Sequence, residues 1–130
     1  KHKKLVLPAT VVVENADGTS GPVPVAEVVA DDTIVDVGLD SIAALKDVIT
    51  RAKIILWNGP LGKDTNTRGT KALLKLLAGS KAKTIIGGGD TVELISKLKM
   101  EKEFTFVSTG GGATLQFLAD GSLPGIKALK

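Results

Sequence analysis

Three glycine-rich segments of the sequence each follow a short apolar run. They are residues 57–62 (Trp-Asn-Gly-Pro-Leu-Gly), 87–91 (Gly-Gly-Gly-Asp-Thr) and 108–113 (Ser-Thr-Gly-Gly-Gly-Ala). Glycine lets the backbone approach a ligand closely and adopt positive φ angles. If the apolar runs are parallel strands, all of these segments lie at the carboxyl edge of one sheet, where open α/β sheets bind their ligands.

Asp90 is the one acidic residue within these segments. The residues after Gly89 begin a helical pattern, and a helix N-terminus offers free N–H groups and partial positive charge to a phosphate. A carboxylate there would repel phosphates unless a divalent cation lay between, and Mg²⁺ is commonly held by one carboxylate together with substrate phosphates. Asp90 is therefore a candidate Mg²⁺ ligand. A helix-capping role explains the same residue type, and both roles can coexist.

The other two segments also allow two interpretations each. The amides of residues 108–113 could stabilise charge on a transferred phosphoryl group, or the glycines could form a tight turn for helix–strand packing. Asn58 offers both a hydrogen-bond acceptor and donors. Trp57 fits core packing better than base stacking. The sequence contains neither G-x-x-x-x-G-K-[ST] nor G-x-G-x-x-G, so each glycine run is a weak signal alone and only their combination is informative.

Short aliphatic runs alternate with segments of helical periodicity. Predicted strands cover residues 4–7, 11–14, 33–37, 53–57, 84–86 and 104–107, with 25–30 as a hairpin partner after an exposed loop at 15–24 that is rich in Gly and Pro. Predicted helices cover 67–78, 112–118, a segment capped by Asp90 that extends to Leu98, and a segment capped by Asp40 or Ser41 that extends to Ile49.

Alternating strands and helices predict the α/β class, with a Rossmann-like parallel sheet and helices on both faces. The runs at 54–56 and 84–86 are nearly continuous in apolar or β-branched residues, as in strands that are buried on both faces. A doubly wound domain usually has more strands than these. We therefore interpret residues 1–130 as a single domain or as a fragment of one.

Composition excludes several classes of function. The chain has no Cys and a single His, which argues against disulfide scaffolds and zinc chemistry. The net charge of +3 is a mild excess, and no basic face is interleaved with aromatic residues, so nucleic acid is not an expected partner. The basic run at residues 1–4 is typical of a solvated end. No apolar run approaches the roughly 20 residues of a membrane span, and a soluble cytoplasmic protein is expected.

The glycine-rich segments, in this order, resemble phosphoglycerate kinase. Residues 5–8 (Leu-Val-Leu-Pro), the stretch from Asp36 to Ser41 and the tail from Leu123 to Leu129 are also similar to that family. The resemblance covers nearly the whole chain. It implies the C-terminal, nucleotide-binding part of a glycolytic kinase that transfers a phosphoryl group between 1,3-bisphosphoglycerate and ADP with Mg²⁺.

In such an enzyme an N-terminal domain binds 3-phosphoglycerate and 1,3-bisphosphoglycerate, and the full-length protein is expected to be a monomer. The resemblance also assigns roles to individual residues. Gly88, Gly89, Asp90 and Thr91 would contact the phosphates of ADP or ATP, with Asp90 on Mg²⁺; Asn58 and Pro60 would lie along the nucleotide; Gly110, Gly111 and Gly112 would present amides to the phosphoryl group in transit; Ser108 and Thr109 would lie near the hinge between domains.

Two departures from the family pattern matter. The family's ribose-binding glutamate is replaced by Thr65 in gapless counting, with Asp64 as a neighbouring acid. The nucleotide-domain lysine motif and the N-terminal arginine have no counterpart in this chain, so we expect no turnover from the chain alone. The alternatives are a stand-alone, non-catalytic nucleotide- or phosphate-binding module and a purely structural remnant.

Overall fold

The computed structural model describes residues 4–63 and 65–129. These form two compact units: the described residues of Lys1–Arg51 with Leu61–Ser80, and Ala52–Pro60 with Lys81–Lys130. The single-domain organisation stays a prediction. The elements, in chain order, are β1 (Thr10–Glu14), β2 (Ser20–Pro24), β3 (Thr33–Val37), α1 (Leu39–Ala43), α2 (Lys46–Arg51), β4 (Ile54–Asn58), α3 (Arg68–Ala78), β5 (Lys83–Gly87), α4 (Gly89–Lys97), β6 (Phe106–Val107), α5 (Gly112–Asp120) and α6 (Pro124–Ala128).

The first unit contains an antiparallel sheet with the strand order β2-β1-β3. A tight turn links β1 to β2, in which Gly18 has a φ of 78° and Asp17 accepts a hydrogen bond from the Thr19 amide at 2.9 Å. The expected loop over residues 15–24 is therefore confined to residues 15–19, and the hairpin partner of β1 is β2 rather than residues 25–30. Pro22 and Pro24 argued against a strand in the sequence, but β2 lies at a sheet edge, where proline is tolerated.

Two other expectations for the first unit are wrong. The predicted strand at residues 4–7 is not formed, since these residues belong to neither sheet. Neither Asp40 nor Ser41 caps a helix: Gly38 is the N-cap of α1, and the predicted single helix is two short ones. Ser41 instead ties α1 to β1, since its hydroxyl accepts hydrogen bonds from the amides of Ala9 and Thr10 at 3.0 and 2.9 Å.

The second unit contains the parallel sheet, with the strand order β4-β5-β6. Helix α4 packs on β5, and Ile86 and Ile95 are fully buried. The predicted α/β class is confirmed. Strand β6 is shorter than predicted because Thr105 joins Thr84 through side chains: each threonine amide donates to the other's hydroxyl, at 3.0 and 3.1 Å.

The bounds of the remaining predicted helices and strands agree closely with the structure, whereas α6 was not predicted. The expected burial of residues 54–56 on both faces is wrong, since Ile54 is 64% and Leu56 is 45% exposed. No helix within the described residues is both long enough and apolar enough to cross a membrane. Most of the basic run at residues 1–4 lies outside the described residues, as does Asp64.

Candidate functional site

The glycine-rich segments begin at one edge of the parallel sheet. In register, Asn58 at the end of β4 faces Gly87 at the end of β5, and Ile86 faces Val107 at the end of β6. The segments continue the pairing beyond the strands: the Gly59 amide donates to the Gly87 carbonyl at 3.1 Å, and the Ser108 amide donates to the Ile86 carbonyl at 2.7 Å. Backbone pairing of parallel strands thus brings the segments together.

Gly88 is fixed by a backbone contact between two of these segments. Its φ is 93°, a conformation that residues with a side chain rarely adopt. A Cβ atom at this position would lie 2.6 Å from the Gly59 nitrogen. The residue is also the N-cap of α4, and its carbonyl accepts the Val92 amide at 2.9 Å. The first backbone amides of α4 therefore lie at the sheet edge, where they have no hydrogen-bond partner within the helix.

Asp90 lies in the first turn of α4 and is exposed. The predicted capping role is wrong, because Gly88 occupies the N-cap and no side-chain capping bond is made there. The next acid along the helix, Glu93, pairs with Lys97 at 2.5 Å, and the hydrogen bond from Lys97 lowers the pKa of Glu93. The Asp90 carboxylate makes no hydrogen bond or ion pair with the described residues, so it is available to a ligand.

Two polar atoms at the site are buried without a hydrogen-bond partner among the described residues. They are Oδ1 of Asn58 and Oγ1 of Thr91, and Thr91 is fully buried. Buried polar atoms in folded proteins are normally paired. Unpaired buried oxygens at the end of β4 and in the first turn of α4 are expected at a site that binds a polar ligand.

The third segment is ordered by side-chain hydroxyls. Ser108 Oγ accepts a hydrogen bond from the Gly110 amide at 3.2 Å and lies 2.5 Å from Thr114 Oγ1. Gly111, with a φ of 47°, is the N-cap of α5. Of the amides predicted to face a phosphoryl group, that of Gly110 is therefore engaged. Those of Gly111 and Gly112 make no hydrogen bond within the described part of the chain.

All of the predicted site residues belong to the second unit. Sequence reasoning missed Gly87, whose only signal was its place in a glycine run, and the hydroxyl pair of Ser108 and Thr114. The chain also has a cavity of about 530 Å³, but its lining residues, which include Val12, Pro22 and Arg68, belong to the first unit. This cavity and the predicted site are therefore different features.

Comparison with known proteins gives one consistent result. The sequence profile of the family described as phosphoglycerate kinase matches residues 1–121. The phosphoglycerate kinase of Zymomonas mobilis is 42% identical over 98% of this chain and 34% of its own length. That of Solibacter usitatus is 39% identical, over 98% of this chain and 34% of its own length.

Solved structures agree with the sequence relatives. The phosphoglycerate kinase of Coxiella burnetii has a TM-score of 0.80 at 36% identity and is matched over 95% of this chain and 33% of its own. That of Pyrococcus horikoshii has a TM-score of 0.79 at 29% identity, over 94% and 31%. The chain therefore spans about a third of the length of its relatives. It belongs to the phosphoglycerate kinase family.

Proposed function

We propose that this chain is the nucleotide-binding portion of a cytoplasmic phosphoglycerate kinase, which transfers a phosphoryl group between 1,3-bisphosphoglycerate and ADP. The second unit would hold Mg·ADP or Mg·ATP at the carboxyl edge of its sheet. The proposal is supported chiefly by three features at this edge. They are the free amides at the start of α4, the exposed carboxylate of Asp90 and the unpaired buried oxygens of Asn58 and Thr91.

These residues fit a magnesium nucleotide better than a metal ion alone. No group of three or more His, Cys, Asp or Glu side chains that could hold a metal occurs among the described residues. A cation at Asp90 would therefore share its ligands with phosphates, as Mg²⁺ commonly does. When bound, Mg²⁺ would neutralise charge on the phosphates during transfer.

Each part of the site would have a separate task. The amides of Gly88, Gly89 and Thr91 would hold the phosphates at the start of α4, and Asn58 and Pro60 would line the nucleotide. Gly111 and Gly112 would direct amides to the phosphoryl group in transit, and Gly110 would shape that turn through its bond to Ser108. Phosphoryl transfer depends mainly on such positioning and charge stabilisation.

Calorimetric titration of the chain with ADP, with and without Mg²⁺, tests this proposal. We expect Asp90→Asn to lower the affinity for ADP in Mg²⁺ at least tenfold, equivalent to about 1.4 kcal/mol. The affinity without Mg²⁺ should not fall, because the variant removes a negative charge. Asp120→Asn is the matched control, since Asp120 is an exposed carboxylate at the end of α5. Equal Mg²⁺ dependence in wild type and Asp90→Asn would contradict the metal assignment.

A further inference from the structure

We infer that Gly87 is a positioning residue for the Asn58 carboxamide. The inference rests on the proposed function, because it concerns how a side chain of the nucleotide site is held. Gly87 is buried at the end of β5 and faces Asn58 across the parallel pair. Pairing the two strand ends places the asparagine side chain beside the bare Cα of the glycine.

The space beside Gly87 is occupied by this carboxamide. A Cβ atom at residue 87 would lie 2.7 Å from Asn58 Oδ1, well inside van der Waals contact. Its next neighbour outside Asn58 would be the Ser108 Cβ at 3.8 Å, an ordinary contact. Gly87 is in a β-strand and does not have a positive φ. Glycine is therefore required at this position to leave room for the Asn58 side chain, and not to allow an unusual backbone conformation.

Burial explains why the position of this carboxamide matters. Asn58 Oδ1 is buried without a partner in the described part of the chain, which is a cost that folded proteins usually avoid. A methyl group at residue 87 would displace the carboxamide from the sheet edge. Since the Gly59 amide bonds the Gly87 carbonyl at 3.1 Å, backbone pairing holds the two segments together while the side chain moves. Gly87 thus determines where Asn58 meets a ligand.

A double-mutant cycle tests this inference. The variants are Gly87→Ala, Asn58→Ala and the double variant, with Gly125→Ala as control because a Cβ there would meet nothing within 4 Å. We expect Gly87→Ala and Asn58→Ala each to lower the affinity for Mg·ADP about tenfold. The double variant should lose no more than either one, because both changes remove the same interaction. Gly125→Ala should bind like the unaltered chain.

The side-chain amide signals of Asn58 in a ¹⁵N–¹H spectrum give a second readout, independent of ligand. Gly87→Ala should shift these signals and Gly125→Ala should not. Unchanged signals, unchanged affinity or losses that multiply in the double variant would overturn the inference. If the unaltered chain binds no Mg·ADP, the proposed function fails, and the Asn58 signals still decide the positioning claim. If Gly87→Ala does not fold, recovery of folding in the double variant supports the inference and failure to recover overturns it.

Discussion

Two buried threonines of the second unit differ in how their hydroxyls are used. Thr84 is 3% exposed, and its hydroxyl accepts the Thr105 amide at 3.0 Å. Thr91 is 0% exposed, and its hydroxyl has no partner among the residues described. Since valine has nearly the shape of threonine without the hydroxyl, replacing each threonine by valine isolates what the hydroxyl does.

We predict opposite effects of the two substitutions on stability. Thr84→Val should lower the free energy of unfolding by about 1 kcal/mol, because the partly buried hydrogen bond from the Thr105 amide loses its acceptor. Thr91→Val should leave it unchanged or raise it by about 1 kcal/mol, because an unpaired buried hydroxyl is removed. Urea denaturation measures both values. A loss of stability in Thr91→Val equal to that in Thr84→Val would show that the Thr91 hydroxyl is paired in solution.

The same pair separates stability from binding. Thr91→Val should weaken Mg·ADP binding, whereas Thr84→Val should not, because Thr84 lies at the start of β5 and away from the carboxyl edge of the sheet. Stabilisation accompanied by loss of affinity is the expected signature of a polar group retained for a ligand. Calorimetric titration of both variants measures these affinities. Unchanged Mg·ADP affinity in Thr91→Val would contradict a ligand-binding role for the Thr91 hydroxyl.

At the level of single residues, the sequence indicated which types could do chemistry but not which were already engaged. Asp90 was equally consistent with a cap and a metal ligand, because the choice depends on whether Gly88 takes the N-cap position, which is a matter of backbone geometry. The Gly110 amide looked free until Ser108 Oγ was seen to accept it. Such pairings arise from turn geometry that residue types do not specify.

Helix α3 begins next to a buried carboxylate from another element. Its N-cap residue, Thr67, makes no side-chain capping bond. Asp36, at 4% exposure, accepts the Gly69 amide at 2.8 Å through Oδ2 and the Val37 amide at 2.8 Å through Oδ1. A Cβ at Gly69 would lie 2.3 Å from that carboxylate. Strand β3 thus supplies the cap of α3 from a distance in sequence.

We predict that Asp36→Asn lowers the free energy of unfolding by about 1–2 kcal/mol, since asparagine has an NH2 group in place of one of the two accepting oxygens and carries no charge toward the helix start. Asp31→Asn, at an exposed carboxylate, is the control and should change stability by less than about 0.5 kcal/mol. Urea denaturation measures both. An Asp36→Asn variant as stable as the control would show that α3 does not depend on this cap.

The carboxyl at the start of α1 should contribute to the pH dependence of stability in acid. Thr10 donates a hydrogen bond to Asp40, which lowers the pKa of this carboxyl below its ordinary 3.8. A carboxyl with a lowered pKa in the folded state stabilises the fold above its ordinary pKa. That stabilisation is lost as the pH falls from 3.8 through the lower folded value.

Replacing the donor tests this assignment. Thr10→Val should raise the pKa of Asp40 toward its ordinary value, because the hydrogen bond from the Thr10 hydroxyl is the main cause of the lowered pKa. The carboxyl-carbon chemical shift of Asp40, followed by NMR during acid titration, measures the change. The acid-induced loss of stability in Asp40→Asn should also be shallower than in wild type. If Thr10→Val left the Asp40 titration unmoved, another group would have to account for the lowered pKa.

Elements were predicted best where local pattern and tertiary environment agree. The buried positions of α3, which include Leu73, Leu74 and Leu77, repeat at helical spacing, and β5 is a continuous apolar or β-branched run apart from its ends. The β1–β2 hairpin was misplaced because Pro22 and Gly21 indicate a loop locally. Pairing with β1 overrides them. The five residues of β2 do not themselves indicate which strand they pair with.

At the scale of the whole molecule, the chain matches about a third of each relative's length. The sequence predicted this partial coverage because its motifs resemble only the nucleotide-binding part of the family. The family resemblance assigns the glycerate substrates to a different domain. Phosphoryl transfer requires donor and acceptor in line and within reach of each other, so binding one substrate well does not by itself give turnover.

We therefore predict that the purified chain alone binds Mg·ADP but shows no phosphoglycerate-dependent consumption of ATP. A coupled assay that follows ADP release measures turnover, with full-length Zymomonas mobilis phosphoglycerate kinase as the positive control. Binding without turnover would match the proposed nucleotide-binding portion. Turnover that survives repeated purification and is abolished by Asp90→Asn would contradict the prediction, because the chain would then bind and orient the glycerate as well. The Asp90 variant is essential here, since turnover that it leaves unchanged would indicate a contaminating enzyme.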